Sequence, residues 1–161
     1  MKSMKKPNPF VLALCIGISL FAGALGSLAT FPSIPTWYAT LHKPTYTPPN
    51  WVFGPVWTTL YILMGIALYL VFQKKTKKVE RIRGIYLFFT QLALNVIWSV
   101  VFFGIHQIGG GCVVIVLLWL TIALTILNFY KISKPAAYCL VPYLVWTSYA
   151  SFLNFSLLFL N

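Results

Sequence analysis

A single carboxylate side chain, Glu80, stands in 161 residues. Its isolation excludes paired-carboxylate acid/base chemistry and leaves nothing to complete a carboxylate-based catalytic triad. Cysteine is scarce too: Cys15, Cys112 and Cys139 are singletons in apolar stretches, with no CxxC pair and no His at metal-ligand spacing. They read as small buried hydrophobes, and no metal site is expected. Charged residues make up 8% of the chain against 60% hydrophobic ones. A soluble domain of this length could not bury that much apolar side chain, so lipid must cover part of it. The charge that remains is almost all positive, with a formal balance of +11. No nucleic-acid partner is implied, because the Lys and Arg residues lie only between apolar runs.

Those runs occupy about Phe10 to Thr30, Trp51 to Phe72, Ile82 to Gly104, Ile108 to Tyr130 and Ala136 to Leu160. Each is long enough to cross roughly 30 Å of hydrocarbon as a helix. They lack the strict alternation of barrel strands, and a helix satisfies its backbone hydrogen bonds within one segment. The expected fold class is therefore an all-α membrane protein: one integral domain over residues 1–161, a five-transmembrane-helix bundle. The first run exceeds the usual apolar core of about 7 to 15 residues in a cleaved leader, so it is expected to remain as a span.

Basic residues resist translocation and collect on the cytoplasmic side. Lys2, Lys5 and Lys6 precede the first run; Lys74, Lys75, Lys77, Lys78, Arg81 and Arg83 follow the second; Lys131 and Lys134 separate the fourth and fifth. Five spans put all of these on one side and leave Lys43 alone on the other. The N-terminus is expected in the cytoplasm and the C-terminus outside. The one long connection, Phe31 to Asn50, holds five of the ten prolines. Proline fixes φ and lowers the entropy lost on ordering, which suits a folded lid with short helical turns between helices 1 and 2.

Helical spacing aligns Trp57, Tyr61, Met64 and Leu68 in the second span and Gln91, Asn95, Trp98 and Phe102 in the third. Tyr143, Trp146, Ala150 and Asn154 align approximately in the fifth. Three faces thus combine aromatic area with a few hydrogen-bonding groups. Trp51, at a helix head, suits an interfacial belt. Trp98, Trp119 and Trp146 lie deeper, where an indole N–H needs a partner in protein, ligand or water. Trp119 is expected to be structural, with only Thr121 and Thr125 as polar companions. Gln91 and Asn95 could glue helices together or orient a polar ligand edge. His42 and His106 fall in or beside outer loops as solvated imidazoles. Small residues at Ser19, Gly23 and Ser27, flanked by Ala22, Gly26 and Thr30, allow close helix approach, within the bundle or between two copies.

Several of these stretches, in order, carry a family resemblance. Trp37-Tyr38 through Leu41, Lys43-Pro44, Thr47-Pro48-Pro49, the run Trp51 to Trp57, and Leu60-Tyr61 resemble the first loop and second helix of the tryptophan-rich sensory protein (translocator protein) family. Gln91 to Asn95 with Phe102-Phe103-Gly104, and Pro142-Tyr143 with Trp146, Ala150 and Leu153-Asn154, resemble later parts of it. The resemblance implies a homodimeric bundle whose cavity beneath the lid binds porphyrins and other flat apolar ligands. By similarity the ligand-binding positions are Ser27, Tyr38, Pro48, Phe53, Trp57, Asn95, Leu117, Trp146, Ala150 and Leu153. Trp57 and Trp146 match two tryptophans tied to light-dependent porphyrin breakdown in bacterial members, which would make them the catalytic pair if that reaction occurs.

The chain departs from the family pattern at Phe155 and the uncharged tail Ser156 to Asn161, which lack the Tyr and basic residue of the sterol motif, so sterol transport is not expected. Val114, Gly110 and Tyr46 also replace residues common in relatives. The resulting expectation is a receptor or sensor in the lipid bilayer, linked to tetrapyrrole homeostasis or stress response and needing no cofactor. Photo-oxidative porphyrin degradation and passive porphyrin or lipid transport are the alternatives. Gradient-driven transport is disfavoured because no ionisable Glu, Lys, Arg or His lies deep in a span.

Overall fold

The computed structural model describes residues 7–161; the tail lysines Lys2, Lys5 and Lys6 lie outside the described residues. Five long helices and one short one account for nearly all of them: α1 Pro9–Ser33, α2 Trp37–Thr40, α3 Asn50–Gln73, α4 Lys78–Ser99 with a π turn at Val100–Gly104, α5 Ile108–Ile132 and α6 Lys134–Leu160. The five long helices meet the length and hydropathy needed to cross a bilayer. The chain is an integral membrane protein.

Helix ends differ from the apolar runs for local reasons. α1 starts where the Asn8 side chain accepts from the backbone N–H of Phe10 and Val11, with Pro9 at a position that has no donor to lose. It continues through Pro32 into its last turn, past the expected end at Thr30. α4 begins at Lys78, four residues before the expected Ile82, because its basic first turn is helical although it is not apolar. α6 likewise takes in Lys134. The lid region does contain a helical turn, α2, and a second bend closed by Thr47 N–H donating to the Pro44 carbonyl.

Going round the bundle, α1 packs on α3, α3 on α6, α6 on α5, α5 on α4, and α4 returns to α1. The half nearest the basic connectors is solid, filled by Met64, Leu68, Val71, Phe88, Leu118, Ile122, Phe129 and Leu140. Ser19, Ala22 and Gly26 of the small-residue stripe are buried within the bundle. A Cβ on Gly65 would stand 2.7 Å from the Ile16 backbone nitrogen, and one on Gly23 would enter the Tyr61 ring. These glycines let α1 and α3 touch closely, backbone to backbone at Gly65 and backbone to side chain at Gly23.

Candidate ligand cavity

The half of the bundle beneath the lid is hollow. A cavity of about 330 Å³ lies between α1, α3, α4 and α6, capped by Ile34 and Tyr38 of the lid segment. Its wall is a chain of ring contacts. Trp57 meets Tyr61 at 5.8 Å, Trp98 at 6.4 Å and Tyr143 at 6.1 Å between centroids. Trp98 stacks on Phe102 at 5.6 Å, and Phe53 meets Trp146 edge-on at 5.9 Å. Such surfaces offer flat, polarisable faces for a planar ligand.

The polar groups are few and mostly committed. Asn95 accepts from the Tyr61 hydroxyl at 2.7 Å and donates to the Tyr143 hydroxyl at 2.8 Å, tying α3, α4 and α6 together at the cavity floor. Trp98 donates its indole N–H to Asn154 at 3.1 Å. The Trp146 indole nitrogen is buried in the wall and has no hydrogen-bond partner among the described residues. In the lid, burial first and Tyr149 second push the Tyr38 phenol above its usual range, which keeps it a neutral O–H.

Eight of the ten sequence-predicted ligand positions line this cavity: Ser27, Tyr38, Phe53, Trp57, Asn95, Trp146, Ala150 and Leu153. Pro48 and Leu117 do not. Pro48 is half-buried in the lid just before α3 and contributes nothing to the lining. Leu117 is 48% exposed, on the α5 stripe with Val113, Leu120 and Leu124, while the inward stripe of that helix runs through Ile115, Leu118 and Ile122. A shift of one residue turns a helical side chain by about 100°, enough to move Leu117 from the bundle interior to its outer surface.

Other residues were missed or misread. Trp98 and Asn154 line the cavity as a bonded pair, and Ser99 and Phe103 join them from α4. The π turn at the end of α4 is the device that places Phe102 and Phe103 together inside. Trp119 does have a polar companion on another helix, donating to Ser148 at 2.7 Å. Gln91 lies beneath the cavity in the packed half, where its amide reaches the Met64 sulfur at 3.9 Å. His106 stacks on Trp37 at 4.5 Å and takes a left-handed φ of 59°.

Comparison with known proteins follows the same outline. The chain is 51% identical over 150 residues to tryptophan-rich protein TspO of Chlorobaculum tepidum, covering 93% of this chain and 95% of that one. It is 46% identical over 154 residues to tryptophan-rich protein TspO of Archaeoglobus fulgidus, covering 96% and 99%. Against the translocator protein of Homo sapiens it is 43% identical over 122 residues, 74% of this chain and 71% of that one. Residues 15–160 match the TspO/MBR family, and the chain belongs to it.

Proposed function

We propose that this protein is a membrane receptor or sensor that binds a porphyrin, or a similar flat apolar tetrapyrrole, in the cavity beneath its lid. Family membership supports the membrane receptor or sensor. The observation that carries the ligand class is the cavity itself, walled by Trp57, Trp98, Phe53 and Trp146 and lined by no charged side chain. A planar macrocycle would stack on these faces, and the unpartnered Trp146 N–H would meet an acceptor on its edge. Ser27, Tyr38, Ala150 and Leu153 would shape the slot. No cofactor is needed for binding. In this reading the protein works as a homodimer in a bacterial cell membrane, N-terminus in the cytoplasm and C-terminus outside, reporting tetrapyrrole supply or stress. The solid half of the bundle favours a blind-ended binding chamber over a passage for transport.

Quenching of tryptophan fluorescence by protoporphyrin, titrated into purified protein, tests the reading. Trp57→Phe should weaken binding about 5-fold, since an aromatic contact contributes about 1 kcal/mol. Ala150→Leu fills the slot and should weaken it at least 10-fold. Unaltered affinity in both variants removes the cavity assignment. The second reading, photo-oxidative degradation, is favoured by Trp57 and Trp146 lining one cavity. Running the titration under illumination separates the two: unchanged product yield in the double Phe variant eliminates catalysis.

A further inference from the structure

The cavity is closed towards α4 and α6 and open towards α1 and α3. Every lining residue from α4 and α6 is buried or half-buried, whereas the exposed ones, Ala24, Phe31, Asn50, Gly54 and Thr58, all belong to α1 or the first three turns of α3. The cause is the pinch deeper in the bundle. Gly65 holds α3 against the backbone of α1 near Ile16, and Gly23 holds α1 against Tyr61. Above it, a Cβ on Gly54 would meet nothing within 4 Å. The close glycine contacts of mid-span thus give way, at Gly54 beneath the lid, to open space beside the cavity.

The lid is fastened on its other sides. The Tyr149 hydroxyl donates to the Tyr46 carbonyl at 2.6 Å, and the hydroxyls of Tyr46 and Ser156 share a 2.7 Å hydrogen bond. The Tyr46 ring stacks on Phe152 at 5.2 Å. His42 and Asn161 exchange two hydrogen bonds, at 2.9 and 3.1 Å. Towards α4, Ser33 donates to the Phe103 carbonyl at 2.5 Å, and Trp37 lies flat on His106. Lifting the lid would break this whole set together.

The depth of the gap follows from its residues. Trp51, 75% exposed at the head of α3, is the side chain suited to headgroup level, by the preference of tryptophan for that layer. Gly54 and Thr58 lie three and seven residues further along, about 4.5 and about 10 Å deeper at 1.5 Å per residue. The outer surface of α1 beside them carries Phe21, Leu25 and Leu28, all exposed. The rim therefore opens onto acyl chains, and it carries no charge. We propose that the ligand enters and leaves sideways, from the hydrocarbon layer of the bilayer through the α1–α3 gap, while the lid stays shut. This rests on the ligand reading above and gives the bilayer the role of reservoir: the cavity takes flat molecules that have first dissolved in lipid.

Stopped-flow quenching by protoporphyrin, with the protein in phosphatidylcholine vesicles, tests the route. Gly54→Trp should slow association and dissociation together, each at least 10-fold, because a plug hinders traffic in both directions. A damaged pocket would instead speed dissociation. Ala24→Phe, on the facing rim, should act likewise and guards against a folding defect in the first variant. Locking the lid with a Tyr46→Cys/Phe152→Cys disulfide should leave both rates within 2-fold of the unlocked protein; the native cysteines are buried or half-buried. Rates stopped by the locked lid, or unchanged by both rim variants, overturn the lateral route while binding itself stands. No quenching in the unsubstituted protein defeats the ligand reading and the route with it.

Discussion

Asn95 shows how one side chain can serve both roles that its position allows. Its amide holds two phenols, Tyr61 and Tyr143, and it also lines the cavity. Asn95→Leu strips two buried hydroxyls of their partner, so it should cost about 1 to 2 kcal/mol, the upper range for interhelical hydrogen bonds in membranes. Chemical unfolding in micelles measures it, with Thr90→Val as the control. That hydroxyl is exposed and bonds only within its own helix, to the Tyr86 carbonyl, so its loss should change stability by less than about 0.5 kcal/mol. Equal effects would mean that the Asn95 bridge contributes nothing. Helical spacing placed Asn95 on the right face, but its partners sit 34 and 48 residues away, and no local pattern encodes them. The same distance hid Ser148 from Trp119. Leu117, assigned by resemblance alone, lies outside the cavity, and the sequence offers no check on that: in a helix apolar on all sides, hydrophobicity does not say which stripe faces protein and which faces lipid.

Among the elements, the spans were legible because their signal is length and composition, which the bilayer dictates. Their ends were less so. Basic first turns such as Lys78 to Arg83 look like loop to a hydropathy reading, and the π turn at Val100–Gly104 has no residue signature in this sequence. The pairing of α1 with α3 rests on glycine. In an exposed helix interior, Gly→Ala gains up to about 1 kcal/mol from reduced backbone freedom. Gly54→Ala should show that gain, because its Cβ meets open space. Gly65→Ala should reverse the sign and destabilise by about 1 to 3 kcal/mol, since its Cβ runs into the Ile16 backbone, which cannot turn aside as a side chain can. Thermal unfolding of the two variants in one detergent gives the comparison. A stabilised Gly65→Ala would show that α1 and α3 are not pinned there.

For the whole molecule, the division of labour is between ends: one packed and ringed with lysine and arginine, the other hollow and lidded. Among the described residues, Lys43 is the only Lys or Arg at the lid end, where its ammonium lies 4.6 Å over the Tyr38 ring. Each basic residue near a span end resists crossing the membrane, so the packed end should face the cytoplasm and the lid the outside. The consequence for function is direct. A lid outside places the cavity, and the α1–α3 gap, in the outer half of the bilayer, so ligand would be drawn from the outer leaflet. Cysteine labelling with a membrane-impermeant maleimide on intact cells decides the matter. Lys43→Cys should react at once, and Lys75→Cys only after the cells are opened. Replacing Lys74, Lys75, Lys77 and Lys78 by Gln removes four of the retaining charges and should yield a mixed population in which both sites label. If Lys75→Cys reacts in intact cells and Lys43→Cys does not, the chain sits the other way up, and its cavity samples the cytoplasmic leaflet.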